Sequence, residues 1–537
     1  MSGAACADTL RRFALGSLRY AASGRGAARE HGRVRRLLGL IVLIGSLVPL
    51  VAGAAEEPPR ALAVTDPAAL RELDLREHRG EASAHPGFGL QLLLDPQSEA
   101  NPSTAFGNDR LFALPLLRGL RAALADELQR SAKSHPAPQW TLFDLDKLEA
   151  STTRFALAGI VNRMDRGYVA ADGCGEVRLI YRPVHDTGAG TQRLPMTLNL
   201  VLRARGADDA MSCRDVATRW LAAEAWPEVG ADRARRLIAS GGPLAPLGPA
   251  AIDRLEINLQ IATMQDTATG EFRADYLLDV FRFDPATGRY EAGPMENQID
   301  RDRLLADHDL GQAFKRWLLQ PDNLAAFDRG TLIIPDAYLA RSAIAVTPAA
   351  FSHAPQRPAA GLAGPATADP LIGDADIVAA LQRAADRGLV LQTIRSPAGF
   401  ERRLNDITCS GCHQTLGIGG FHFPGVDWTA EPARRSAAAG SPHFIADQDR
   451  RRAIAVAVKD GRVPDYARGF TDRPELSGAS FAGHKRGEGW GAACGLPAAG
   501  GRIDPSFRNW TCAEGLTCQP VRGATAFPIG MCFVAPR

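Results

Sequence analysis

At 537 residues, with 45% hydrophobic and 23% charged side chains, the chain has the composition of a folded protein with room for several cores, which excludes global disorder. Its formal charge of +2 misleads, because residues 1–55 hold eight arginines against Asp8 and Glu30. Without that leader, 54 basic residues face 58 acidic ones, a net of −4, so no nucleic-acid or anionic-membrane partner is expected.

Residues 1–55 read as an export signal with a long n-region. Arg33, Arg35 and Arg36 flank the apolar run Leu37–Val51, and Ala52-Gly53-Ala54 offers the small residues a signal peptidase needs. The run is short for a spanning helix and nothing downstream exceeds it, so no transmembrane segment is expected after cleavage. Periplasmic or secreted localisation follows.

Residues 56–106, rich in Pro, Ala and Gly, read as irregular. Asp109–Lys133 then places Leu111, Leu114, Leu117 and Leu120 at helical spacing, with Pro115 positioned to kink or shorten the helix. Five segments have strand character: 155–163, 177–184, 198–204, 255–264 and 275–283. In the fourth, Leu255, Ile257, Leu259 and Ile261 alternate with Glu256, Asn258 and Gln260, the pattern of a half-buried strand in an antiparallel sheet. The turn chemistry of 284-DPATG-288 predicts a hairpin. Helical patterns cover Cys213–Glu224 and Arg301–Leu319. Further on, Asp374–Arg387 reads as helical, as does a segment opened by Ser396 and Pro397, in which Phe400, Leu404 and Ile407 share a face. A Gly-rich loop spans 417–425, and another helix lies around Asp447–Lys459.

The cysteines support export independently. Cys6 belongs to the leader, and eight remain, an even number in an exported chain. Cys174 and Cys213 are expected to pair. Cys494, Cys512, Cys518 and Cys532 form a cystine-rich tail with three possible pairings.

Cys409, Cys412 and His413 spell C-x-x-C-H. Two intervening residues suit thiols that add to two vinyl groups of one porphyrin, with the following histidine beneath the iron. Three other chemistries use the same residues. A thioredoxin-type dithiol would follow a buried strand, whereas 401-ERRLNDIT-408 is polar and helix-like. A zinc site finds Cys409, Cys412 and His422 but no obvious fourth ligand. A structural Cys409–Cys412 disulfide is the plainest alternative. Downstream of the motif no methionine occurs before Met531, which adjoins Cys532 in the tail. His422, between Phe421 and Phe423, is therefore the first candidate for the far side of an iron, ahead of His443 and His484. Met164, Met196, Met211, Met264 and Met295 could reach such a site only through packing of the N-terminal part.

On Cys409-Ser410-Gly411-Cys412-His413 and the helix before it, residues 374–485 resemble the c-type cytochromes. That resemblance implies one covalent haem c on Cys409 and Cys412, His413 as proximal iron ligand, and one-electron transfer with a redox partner protein. An open sixth position would instead suit a haem peroxidase-like oxidoreductase, and a haem-free, disulfide-stapled binding protein is the third possibility. The expected architecture is multidomain: the signal (1–55), an α+β domain (56–345), a Pro/Ala linker (346–370), a mainly α haem segment (371–486) and the small disulfide-rich tail (487–537).

Overall fold

In the computed structural model, the described residues are 59–75, 87–96, 107–134, 143–206, 211–265, 272–347, 370–413, 426–435, 447–471, 473, 488–498, 500–520 and 528–535. The expected signal, most of the linker, the Gly-rich loop and His422, His443 and His484 lie outside them.

A nine-stranded antiparallel sheet organises the chain. Its strands are β1 (Ala63–Val64), β2 (Thr153–Arg163), β3 (Glu176–Asp186), β4 (Thr191–Arg193), β5 (Met196–Arg203), β6 (Ile252–Gln265), β7 (Phe272–Asp284), β8 (Arg289–Ala292) and β9 (Ser342–Thr347). The path runs β1-β2-β3-β5-β6-β7-β8, with β4 on β3 and β9 on β7. The predicted hairpin is present, with Asp284 opposite Arg289.

Alternation gives the sheet two unlike faces. On one, Leu157, Leu179, Leu200, Leu255, Ile257 and Phe281 enter the main core. Helices α1 (Pro67–Leu75), α2 (Arg118–Ser134), α3 (Cys213–Ala222) and α4 (Gly230–Ile238) contribute Leu70, Leu120, Trp220 and Leu237 to that core. On the other face, register aligns Arg163 with Glu176, Arg178 with Val201, and Val201 with Arg254. Two expectations change here, and a third, the interruption at Pro115, is met. Residues 56–106 contribute β1 and α1 to the fold, because Leu70 and Leu73 bury completely or nearly so. Pro115 ends one helical turn at Asn108–Phe112 and opens a 3₁₀ turn before α2. The 301–319 helix is two helices, Arg301–Ala306 and α5 (His308–Leu318), because Asp307 accepts the N–H of Leu310 and starts the second.

Besides the short helices Leu90–Leu94 and Leu145–Glu149, the chain has α6 (Pro321–Asp328), α7 (Asp374–Asp386), α8 (Pro397–Asp406), α9 (Cys409–His413) and α10 (Gln448–Lys459). A second core joins Phe314, Phe327 and Leu324 to Ile377, Phe400, Leu404 and Ile407, so both sides of the Pro/Ala segment pack together. Two short strands, β10 (Val426–Asp427) and β11 (Arg434–Arg435), pair with each other, and Val426 reaches the main core. The C-terminal region forms a sheet ordered β12-β14-β13 from β12 (Ala493–Gly495), β13 (Leu516–Gln519) and β14 (Ile529–Val534). Disulfides Cys494–Cys518 and Cys512–Cys532 staple this region, and Cys174–Cys213 ties the loop before β3 to the start of α3. The whole is a mixed α/β structure with a disulfide-rich C-terminal end. Among the described residues no helix is long and apolar enough to cross a membrane.

Candidate functional site

The C-x-x-C-H segment is built on α8. Ser396 caps that helix by accepting the N–H of Gly399 at 2.9 Å, with Pro397 at the first helical position. Thr408 then separates α8 from α9. Its hydroxyl donates to the Asn405 carbonyl (2.7 Å) and accepts the N–H of Gly411 (2.9 Å). Gly411 is obligatory on steric grounds, since a Cβ there would lie 1.8 Å from the Asn405 carbonyl oxygen. The two residues between the cysteines are thus fixed by packing: Gly411 by that approach, and Ser410 by its N–H, which donates to Gln298 Oε1 at 2.9 Å.

The motif docks on the turn 295–299 and on β9. Asn297 adopts a left-handed backbone (φ 56°), and its amide holds the turn by donating to Leu332 O and accepting from Ile334 N. That turn presents Glu296, whose carbonyl accepts from Cys409 Sγ at 3.5 Å. Cys409 also packs against an apolar cluster of Leu278, Val280, Met295, Ala343 and Ala345, with Tyr276 beside it. Met295 is 1% exposed. Among the upstream methionines whose side chains are described it is the one that shares a cluster with the motif, and nothing local in the sequence singles it out.

The polar face of the sheet lies close by. Glu176 accepts from Arg178 (2.6 Å) and Arg254 (2.7 Å) and pairs with Arg166 (3.2 Å). Arg178 and Arg254 also bind Glu256, and Arg166 bonds Glu296. Beside them Arg163 forms a two-point bond with Asp165. Burial alone would raise Glu176, but Arg178, Arg254 and Arg166 hold it well below the ordinary carboxylate range. Asp165 is likewise held low, against burial, chiefly by Arg163 and Arg451. A sequence signal for this lattice did exist: Glu176 and Arg178, like Arg254 and Glu256, alternate with the apolar residues, although the pattern alone suggests a face turned to water.

Cys409 and Cys412 are free, while the other six described cysteines are paired. Burial pushes both thiols up, and Glu296 adds to the effect on Cys409. Such thiols are poor nucleophiles in the folded protein, opposite to the electropositive, lowered-pKa setting of a redox dithiol. His413 closes α9. His422, the zinc and distal-iron candidate, lies outside the described residues. One other sulfur grouping exists among the described residues: Cys494, Cys512 and Cys532 have ligand atoms within 4.8 Å of one another. All three are in disulfides, so they offer no thiolates to a metal.

Fold and site together define a mixed α/β, disulfide-stapled protein with one unpaired C-x-x-C pair held in an apolar and ionic setting. No family model, curated protein or solved structure matches the chain.

Proposed function

We propose that the chain is an exported c-type haem protein, periplasmic or secreted, that carries one haem through Cys409 and Cys412 and passes single electrons to a protein partner. The observation that carries this is the pair of unpaired cysteines, two residues apart on a capped helix, in a chain whose other described cysteines are oxidised. The buried apolar cluster of Leu278, Val280, Ala343 and Ala345 beside Cys409 supplies the type of side chain that would line a porphyrin edge. Bound haem would supply a one-electron iron couple. The residues of the chain do the rest. α8 and Thr408 fix the direction of the motif, and Gly411 lets α9 approach Asn405. His413 would take the proximal side of the iron. For the far side, Met295 joins His422 as a candidate by its place in the cluster that Cys409 packs against. Because both thiols are partly buried and that burial pushes them up, attachment belongs to the chain before it folds.

The test is haem staining on a denaturing gel after expression with haem-attachment machinery. A stained band that vanishes in Cys409→Ala/Cys412→Ala supports the proposal, and an unstained wild type overturns it in favour of a haem-free, stapled binding protein. Spectra then separate electron transfer from a peroxidase-like enzyme: low-spin bands indifferent to cyanide support the former, ligand-sensitive high-spin bands the latter. Met295→Leu and His422→Ala identify the far ligand by which of them alters the low-spin bands.

A further inference from the structure

A second site lies at the β2–β3 end of the sheet, away from the β7 and β9 strands that carry the cysteine motif. A cleft of about 420 Å³ is lined by Arg71 and Asp74 of α1, Thr153 and Arg154 of β2, Thr191 of β4, and Trp428 just after β10. That volume suits one small ring compound. Trp428 is anchored, its indole N–H donating to Leu157 O at 3.0 Å. The Arg71 guanidinium sits 5.5 Å from the centre of the Trp428 ring, and it has no carboxylate or carbonyl partner among the described residues. Arg154 reaches Asp74 Oδ2 through one nitrogen at 3.3 Å, leaving its other N–H groups uncommitted.

The two acids in the wall already have donors. Asp74 Oδ2 accepts the N–H of Leu157 at 3.1 Å, and Asp186 Oδ1 accepts the N–H of Gly188 at 2.8 Å. The Thr153 hydroxyl is taken by Lys147 O and His185. What the cleft offers a ligand is therefore two guanidiniums with open donors beside a fixed indole. Planar guanidiniums match the two oxygens of a carboxylate, and the indole supplies a face for a ring.

We propose that this cleft binds a small carboxylate-bearing ring compound, its carboxylate on Arg71 and Arg154 and its ring against Trp428. The carboxylate could be carried by a hexuronic acid or by an aromatic acid, and the experiment distinguishes the two. Isothermal titration calorimetry on the full chain would compare galacturonate, benzoate, glucose, acetate and inorganic phosphate, and it needs no haem. Binding of galacturonate or benzoate, with no heat from glucose, is expected, and whichever binds identifies the ring. Arg71→Ala, an exposed position, should weaken that binding about tenfold or more, and Arg71→Lys should recover it only in part. Trp428→Phe should keep part of the affinity, and Trp428→Ala should lose it. Silence from both ring acids overturns the proposal. So does acetate or phosphate binding as tightly as either, which would mark an anion site without ring recognition, or an Arg71→Ala protein that binds unchanged.

Discussion

Arg403 is 1% exposed and holds several chain segments together. Its guanidinium donates to the carbonyls of Gly469 (2.6 Å), Asp328 (2.8 Å) and Arg468 (3.0 Å), and it stacks over Phe470 at 4.8 Å. Burial pushes its pKa down to about 10, with Asp406 offsetting part of the fall, so it stays charged at neutral pH. Arg403→Met would strand those carbonyls in a dry interior. We expect a loss of about 3 kcal/mol or more in urea unfolding, where an exposed arginine would cost almost nothing. Asp74 gives a pH-dependent counterpart. Burial raises its carboxyl to about 6 against the pull of Arg154 and the Leu157 N–H. The folded state thus holds this proton more tightly than the unfolded chain. Its contribution grows as pH falls through 6 towards the unfolded value and is lost as pH rises through 6. Relative to Asp74→Asn, the wild type should gain up to about 3 kcal/mol between these limits, read from urea midpoints above and below pH 6. Comparison with the variant cancels Asp165 and Glu176, whose lowered values act in the opposite direction in stronger acid. Neither behaviour is legible in the sequence, because an arginine in 401-ERRLNDIT-408 reads as one more solvated charge until its neighbours are known.

At the scale of elements, the cystine-rich tail serves α8. Ser396, the helix cap, donates to Asp504 Oδ1 at 2.7 Å and shares a hydrogen bond with Ser506, whose Oγ also accepts the N–H of Arg395. Phe507 and Trp510 of the same region pack with Phe470. The tail therefore stabilises the start of the helix that carries the cysteine motif. Cys174–Cys213 works similarly in the sheet, closing a loop of 39 residues between β3 and α3. Replacing both cysteines with serine should cost about 4 kcal/mol by loop-closure entropy, seen as an earlier urea midpoint in the variant and in reductant-treated wild type. Strand and helix positions were largely readable, since Leu255, Ile257 and Leu259 or Phe400, Leu404 and Ile407 keep one period over several turns. The lapses were local: β9 is too short to stand out, and Asp307 is a cap hidden in an otherwise continuous helical pattern.

For the molecule as a whole, the sheet separates two environments. One face is apolar and covered by α1 to α4, while the other carries the Glu176–Arg178–Arg254–Glu256 lattice close to Cys409 and Cys412. A haem held there would sit beside ionic groups of fixed sign, so Glu176→Gln should raise the midpoint potential of the haem protein by removing a buried negative charge. The amino-acid sequence by itself determined the C-x-x-C-H spacing, the helix leading into it and the main sheet strands, because each rests on residues near one another in the chain. Only the tertiary structure decided which thiols stay free, how the tail pairs, that Met295 and Glu296 meet Cys409 across more than a hundred residues, and that Arg71 faces Trp428. Those contacts depend on sheet register and on the burial of charge, and neither is written in any local pattern.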